Sequence, residues 1–130
     1  MTIKQASVTL ITPEVEACRQ FYERHFGARP TFDCGWYQVL RLEGGEAEIC
    51  LMAPQEGMVP FAGGITINLQ LEDVDGLHAA ITAKGIEPVI ALEDHPWGDR
   101  GFGVLDPAGA MVYCYRPIEP AAEFRQYFIG

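Results

Sequence analysis

Few of the features that would name a chemistry outright are present in this chain. None of its four cysteines, Cys18, Cys34, Cys50 and Cys114, forms a Cys-x-x-Cys pair, and no strong metal spacing links them. Neither a zinc knuckle nor a redox dithiol is therefore encoded. Cys18 and Cys114 fall at apolar-periodic positions, where reduced cysteine acts as a small hydrophobe, so four free thiols are expected. Basic residues are scarce too: nine Lys and Arg stand against eighteen Asp and Glu, a formal charge of −9. That field repels phosphate backbones and anionic lipid, which argues against nucleic acid and membrane as partners. It keeps the chain soluble and also favours a cationic ligand. No apolar run approaches the roughly 20 residues needed to cross a bilayer. The opening Met1-Thr2-Ile3-Lys4-Gln5 does not have the charged-then-apolar form of a signal peptide, so a cytoplasmic protein is expected. No segment is of low complexity. With 48% hydrophobic residues in 130, the chain has the material for one folded domain.

What is there is one supersecondary unit written twice. Thr12-Pro13-Glu14-Val15 through Phe21-Tyr22 leads into Gly27-Ala28-Arg29-Pro30, and Glu72-Asp73-Val74-Asp75 through Ile81 leads into Gly85-Ile86-Glu87-Pro88. Val15 and Val74 are 59 residues apart, and Gly27 and Gly85 are 58 apart. A half of this size scarcely buries its own apolar face, so two copies imply one shared core.

Alternation predicts a first strand from Ile3 to Ile11, with Val8 and Leu10 facing one way and Ser7 and Thr9 the other. Thr12 offers an N-cap oxygen and Pro13 suits the first helical position. Cys18, Phe21, Tyr22 and His25 or Phe26 then give an amphipathic helix that Gly27 closes. Phe32, Trp36–Leu40 and Ala47–Leu51 read as strands. Ile65–Leu71 is the cleanest strand, its apolar side (Ile65, Ile67, Leu69, Leu71) toward the helices and Thr66, Asn68 and Gln70 away. A second helix is predicted from about Asp73 to Lys84, then strands near Val89–Leu92, Gly101–Leu105 and Met111–Arg116. Asp106-Pro107-Ala108-Gly109 turns the chain between the last two. The order is βαβββ twice, with repeat one at about 5–52, a Pro- and Gly-rich linker at 53–64, repeat two at about 65–117 and a tail at 118–130.

Phe21-Tyr22 with Gly27, Asp73-Val74-Asp75 with Gly85, and Asp106-Pro107-Ala108-Gly109 before the last strand resemble the glyoxalase/bleomycin resistance/dioxygenase (vicinal oxygen chelate) superfamily. Pro96-Trp97-Gly98-Asp99-Arg100-Gly101-Phe102 looks like the Trp-Gly-x-Arg stretch of its antibiotic-resistance branch. The resemblance covers about residues 5–117. It implies an α+β fold, two βαβββ modules forming a curved, incomplete barrel with helices outside, and commonly a homodimer. In metal-using relatives one side chain on the first and last strand of each copy converges on a divalent ion. Carried onto this chain, those positions are Ser7, Glu48, Thr66 and Tyr113. A transition metal needs three or four strong ligands, and neutral Ser, Thr and Tyr oxygens seldom supply them. His25, His78 and His95 lie at a helix end, on the second helix and in a loop. No metal and no other cofactor is therefore expected.

The same concave face suits an organic ligand instead, with polar groups among apolar walls. The candidate ligand-binding residues are Ser7, Phe32, Trp36, Glu48, Thr66, Asn68, Trp97, Arg100, Phe102 and Tyr113. Trp36 and Trp97 are either core anchors or, beside their glycines, rings closing on a flat ligand. Glu48, if buried, needs a partner, which Arg41, Arg100 or a cationic ligand would provide. Arg100 either bridges a loop or meets the ligand. In the tail, Phe124, Tyr127 and Phe128 suggest docking on the domain or on a second subunit. The favoured reading is a non-catalytic, metal-free binder of an aromatic or cationic compound. The alternative is an enzyme using the same face, either a metal-dependent lyase or dioxygenase with its ligands in another register or a metal-free isomerase with Glu48 as its base.

Overall fold

The computed structural model describes all residues from Met1 to Gly130. The chain divides into two compact units, Met1–Gly63 with Pro107–Gly109, and Gly64–Asp106 with Ala110–Gly130.

The first unit runs β1 (Val8–Ile11), α1 (Val15–Phe26), β2 (Arg29–Asp33), β3 (Tyr37–Arg41) and β4 (Glu48–Met52). Its four strands form one open sheet in the order β1-β4-β3-β2, with β1 parallel to β4 and the other pairs antiparallel. The parallel pair needs a long crossover, which the intervening helix and hairpin supply. Leu10, Leu40, Ile49 and Leu51 are buried on one face of the sheet, and Val15, Cys18, Phe21 and Tyr22 are the buried residues of α1. β1 is shorter than the predicted 3–11. Pairing begins at Val8, opposite Ile49 near the start of β4, so residues 1–7 have no neighbouring strand to bond. Thr12 does not cap α1. Its Oγ1 accepts the Glu14 N–H at 3.0 Å, a turn one step before the helix, which starts at Val15. Gly27 ends α1 with φ 61°, the left-handed geometry that glycine adopts without a Cβ penalty.

The second unit repeats the order and topology: β5 (Thr66–Gln70), α2 (Val74–Ala83), β6 (Ile90–His95), β7 (Asp99–Leu105) and β8 (Met111–Pro117), with sheet order β5-β8-β7-β6. Again only the first and last strands pair in parallel. Asp73 caps α2, its Oδ1 accepting the Gly76 N–H at 3.0 Å. Phe102, Val104, Val112 and Cys114 are fully buried on the helix-facing side, together with Val74 and Ile81 of α2. All four thiols are free, as predicted. A short helix, α3 (Ala122–Arg125), follows.

β6 and β7 are longer than predicted. His95 pairs with Asp99 across a turn in which the Gly98 N–H reaches the His95 carbonyl at 3.0 Å, so the hairpin ladder runs to its very tip. His95, read from sequence as a loop residue, therefore ends a strand. The tail folds back on this tip: Ile118 N–H bonds the Gly98 carbonyl and Ala121 N–H bonds that of Pro96. Phe124 meets Trp97 edge-on at 6.4 Å, while Tyr127 and Phe128 stay exposed.

Candidate functional site

Each sheet has one face turned away from its helix, and alternation decides what stands on it. In the first unit Tyr37, Val39 and Met52 occupy that face, between the buried Gln38, Leu40 and Leu51. A register shift between Pro30 and Phe32 re-aims the end of β2, and Phe32 comes to lie opposite Val39. At the β2–β3 turn Gly35 takes φ 94° while Asp33 Oδ1 accepts its N–H at 2.8 Å. The following Trp36 is held by its carbonyl, which accepts the Ala53 N–H at 2.8 Å. Phe32, Cys34, Trp36, Tyr37, Val39 and Met52 line a cleft of about 610 Å³, within the range of small-molecule sites. Phe32 and Trp36 remain 53% and 50% exposed. Sequence reasoning picked out these two and missed Cys34, Tyr37, Val39 and Met52. The alternation of Tyr37 and Val39 with Gln38 and Leu40 carried the signal.

Farther along the same face Glu48 is already engaged. Gln5 donates to its Oε1 at 2.7 Å, and Arg41 lies 3.5 Å from Oε2. Arg41 is thus the partner that a part-buried carboxylate needs. Ser7 lies exposed just ahead of β1, and Thr66 and Asn68 are exposed on β5, opposite Met111 and Tyr113.

In the second unit the tip of the β6–β7 hairpin gathers a polar cluster. Asp99 Oδ1 accepts from Tyr113 Oη at 2.7 Å and lies 2.7 Å from His95 Nδ1, while Oδ2 accepts the Trp97 Nε1–H at 2.9 Å. Trp97 stacks flat on the imidazole, 4.6 Å between centroids and 1° between planes. It is therefore no free lid, although half of it remains exposed. Glycine makes this arrangement possible. A Cβ on Gly101 would sit 2.7 Å from both the Tyr113 Oη and the Cys114 carbonyl, so only glycine lets the tyrosine lie across β7 to reach Asp99. Burial pushes the Asp99 carboxyl up, but hydrogen bonds from Tyr113, His95 and Trp97 outweigh it and leave the pKa lowered. Burial and the neighbouring carboxylate both push Tyr113 up, so its phenol keeps its proton.

A carboxylate whose folded pKa is depressed contributes stability above its unfolded pKa and loses it as pH falls through the folded value. Wild-type protein and Asp99→Asn should therefore differ most in urea midpoint at neutral pH. The gap should close as pH falls below the ordinary carboxylate range, about 4, and through the lower folded value. A gap unchanged across that window would mean that these hydrogen bonds do not favour the ionised form.

Two predicted ligand-binding residues lie on the other side of β7. Along a strand, alternate residues face opposite ways, so Arg100 and Phe102 are turned from the face that carries Tyr113. Arg100 forms a two-pronged ion pair with Asp75 of α2, both bonds at 2.9 Å, and a third bond to Asp94. Phe102 is fully buried, with its ring 5.0 Å from that of His78.

Each residue that the resemblance sets at a metal position is, taken by itself, a poor ligand. Glu48 is tied to Gln5 and Arg41, the Tyr113 hydroxyl is protonated and donates to Asp99, and Ser7 and Thr66 offer only neutral hydroxyls. Nowhere do three His, Cys, Asp or Glu side chains gather in a metal-holding group. No helix is long and apolar enough to cross a membrane.

Two open four-stranded sheets, each with a helix crossing between its outer parallel strands, define an α+β protein of duplicated modules. The chain belongs to the Glyoxalase/Bleomycin resistance protein/Dioxygenase superfamily, whose sequence model matches residues 4–113. Solved structures share the fold. TnmS3, an antibiotic binding protein from Streptomyces sp. CB03234, is 21% identical over 90% of this chain and 98% of its own, with a TM-score of 0.75. A bleomycin-binding protein complexed with bleomycin is 24% identical over 88% and 98%, with a TM-score of 0.70. Lactoylglutathione lyase from Agrobacterium tumefaciens is 19% identical over 85% and 90%, also at 0.70. Binders and an enzyme alike are thus built on this frame, and identities this low speak for fold alone. Comparison with curated protein sequences found no match.

Proposed function

We propose that the protein is a metal-free receptor of the bleomycin-resistance type, binding a flat aromatic organic compound, optionally cationic. The observation that carries this reading is the cleft walled by Phe32, Trp36, Tyr37, Val39 and Met52, with two half-exposed rings at its mouth. Stacking on such rings contributes about 0.5–1.5 kcal/mol each beyond the area they bury. The formal charge of −9 favours a ligand bearing positive charge. The antibiotic-binding proteins of the same fold are in keeping with this reading. An enzymatic reading has less support, because the Glu48 carboxylate is occupied by Gln5 and Arg41 and not presented free. We further take the working form to be a cytoplasmic homodimer, to which the exposed Tyr127 and Phe128 would contribute. Titration with bleomycin and with cationic dyes such as acridine orange and ethidium should quench tryptophan emission saturably. The expected affinity is around micromolar, about 8 kcal/mol. Flat titrations across the whole panel would remove the reading.

A further inference from the structure

The polar cluster at the tip of the second unit's hairpin is not needed to explain the apolar cleft, and its chemistry is more specific. An ionised carboxylate only accepts hydrogen bonds. Because Asp99 Oδ1 lies 2.7 Å from His95 Nδ1, that nitrogen must carry the hydrogen. In the neutral imidazole the lone pair is then on Nε2. Nε2 bonds no protein group and is not sealed from solvent, although the side chain as a whole is only 12% exposed. The ring is clamped from several sides: Trp97 lies flat on it, Tyr113 Oη is 3.1 Å from Nδ1, and both also bond the carboxylate that orients it. Three donors on one carboxylate are more than a surface aspartate needs to be satisfied. What they accomplish is to fix one tautomer and one ring orientation.

We infer that His95 is a ligand-contacting residue whose Nε2 accepts a hydrogen bond from the hydroxyl of a phenolic ligand. Asp99 is its positioning residue, and Trp97 and Tyr113 hold Asp99 in place. The inference rests on the small-molecule-binding reading above and adds the ligand's chemistry to it. A phenol fits because the surroundings are aromatic: Tyr113 and Tyr115 stack at 5.9 Å beside the cluster. A phenolic O–H also needs only one acceptor. An anionic ligand group would meet the Asp99 charge and the net charge of the chain.

The test uses the full chain with 15N-labelled histidine at about pH 8, where an ordinary histidine is neutral. Two-bond 1H–15N spectra should show His95 with the hydrogen on Nδ1, before any ligand is added. 2-Naphthol should then shift the Nε2 resonance and bind about tenfold more tightly than 2-methoxynaphthalene, which cannot donate, the difference one good hydrogen bond makes. Asp99→Asn, whose amide would donate to Nδ1, should move the hydrogen to Nε2 and bring the affinity ratio close to one. Should that variant fold poorly, His95→Phe must bring the ratio to one in its place. A hydrogen found on Nε2 in the wild type overturns the inference, and so do equal affinities without any movement of the His95 resonances. Binding of neither probe overturns it as well. If tryptophan quenching by the cationic dyes survives such a result, the receptor reading stands without the phenol site; if quenching is absent too, both fall.

Discussion

Trp36→Ala is expected to weaken binding of a flat aromatic ligand by about ten- to thirtyfold, roughly 1.5–2 kcal/mol. The size follows from position. The indole is half exposed beside Phe32, Tyr37 and Met52 at the mouth of the cleft. Its backbone is held in place, bonded to Ala53 and following a turn set by Asp33 and Gly35. A residue whose backbone is held in this way loses less conformational entropy on meeting a ligand. Because so much of it already faces water, its removal should shift the urea midpoint only slightly. Isothermal titration with acridine orange measures the first effect and denaturation the second. Unchanged affinity in a well-folded variant would place the binding surface elsewhere.

The opposite pattern is expected at Phe102, where alanine should cost about 3–5 kcal/mol of stability. Its ring is fully buried between the sheet of the second unit and α2, edge-on to His78. Truncation leaves a void that neighbours such as Val104, Val112 and Ile81 cannot close, because they are themselves fixed by strand pairing and helix contact. Urea unfolding reads this as a fall in midpoint with the slope unchanged. Phe32→Ala is the matched control, the same side chain deleted from an exposed position. A loss at Phe32 as large as at Phe102 would contradict the assignment of faces.

That pair of phenylalanines also marks the boundary of what could be read from the chain alone. Both were taken from sequence as ligand-facing. Phe32 lies on the open face, opposite Val39. Phe102 belongs to a strand that starts two residues earlier than its hydrophobic pattern indicates, because Asp99 and Arg100 are polar and look like loop. Their strand character comes from pairing with His95 and Asp94 across the turn. With the strand start misplaced and a ring that looked suited to stacking, nothing local separated a core phenylalanine from a site phenylalanine.

Arg100 was legible only as an alternative, bridge or ligand contact. Its bonds to Asp75 and Asp94 decide for the bridge. Asp75 is 25 residues away in the chain, and only the packing of α2 on its sheet brings it near. The His95, Trp97, Asp99 and Tyr113 cluster was missed as a unit for a related reason. His95 and Asp99 are four apart and would be near neighbours on a helix face. In a tight hairpin they become cross-strand partners, and Tyr113 joins them only because β8 lies beside β7.

From composition and periodicity alone came the duplicated βαβββ order, the apolar face of α1 and the reduced cysteines. These are properties of single residues and short spacings, which hydrophobic burial and backbone chirality act upon directly. Tertiary structure alone decided which aromatics are covered, which carboxylates are already spoken for, and which imidazole nitrogen faces a carboxylate. Those depend on neighbours brought together by strand register, where a shift of one residue turns every side chain to the opposite face.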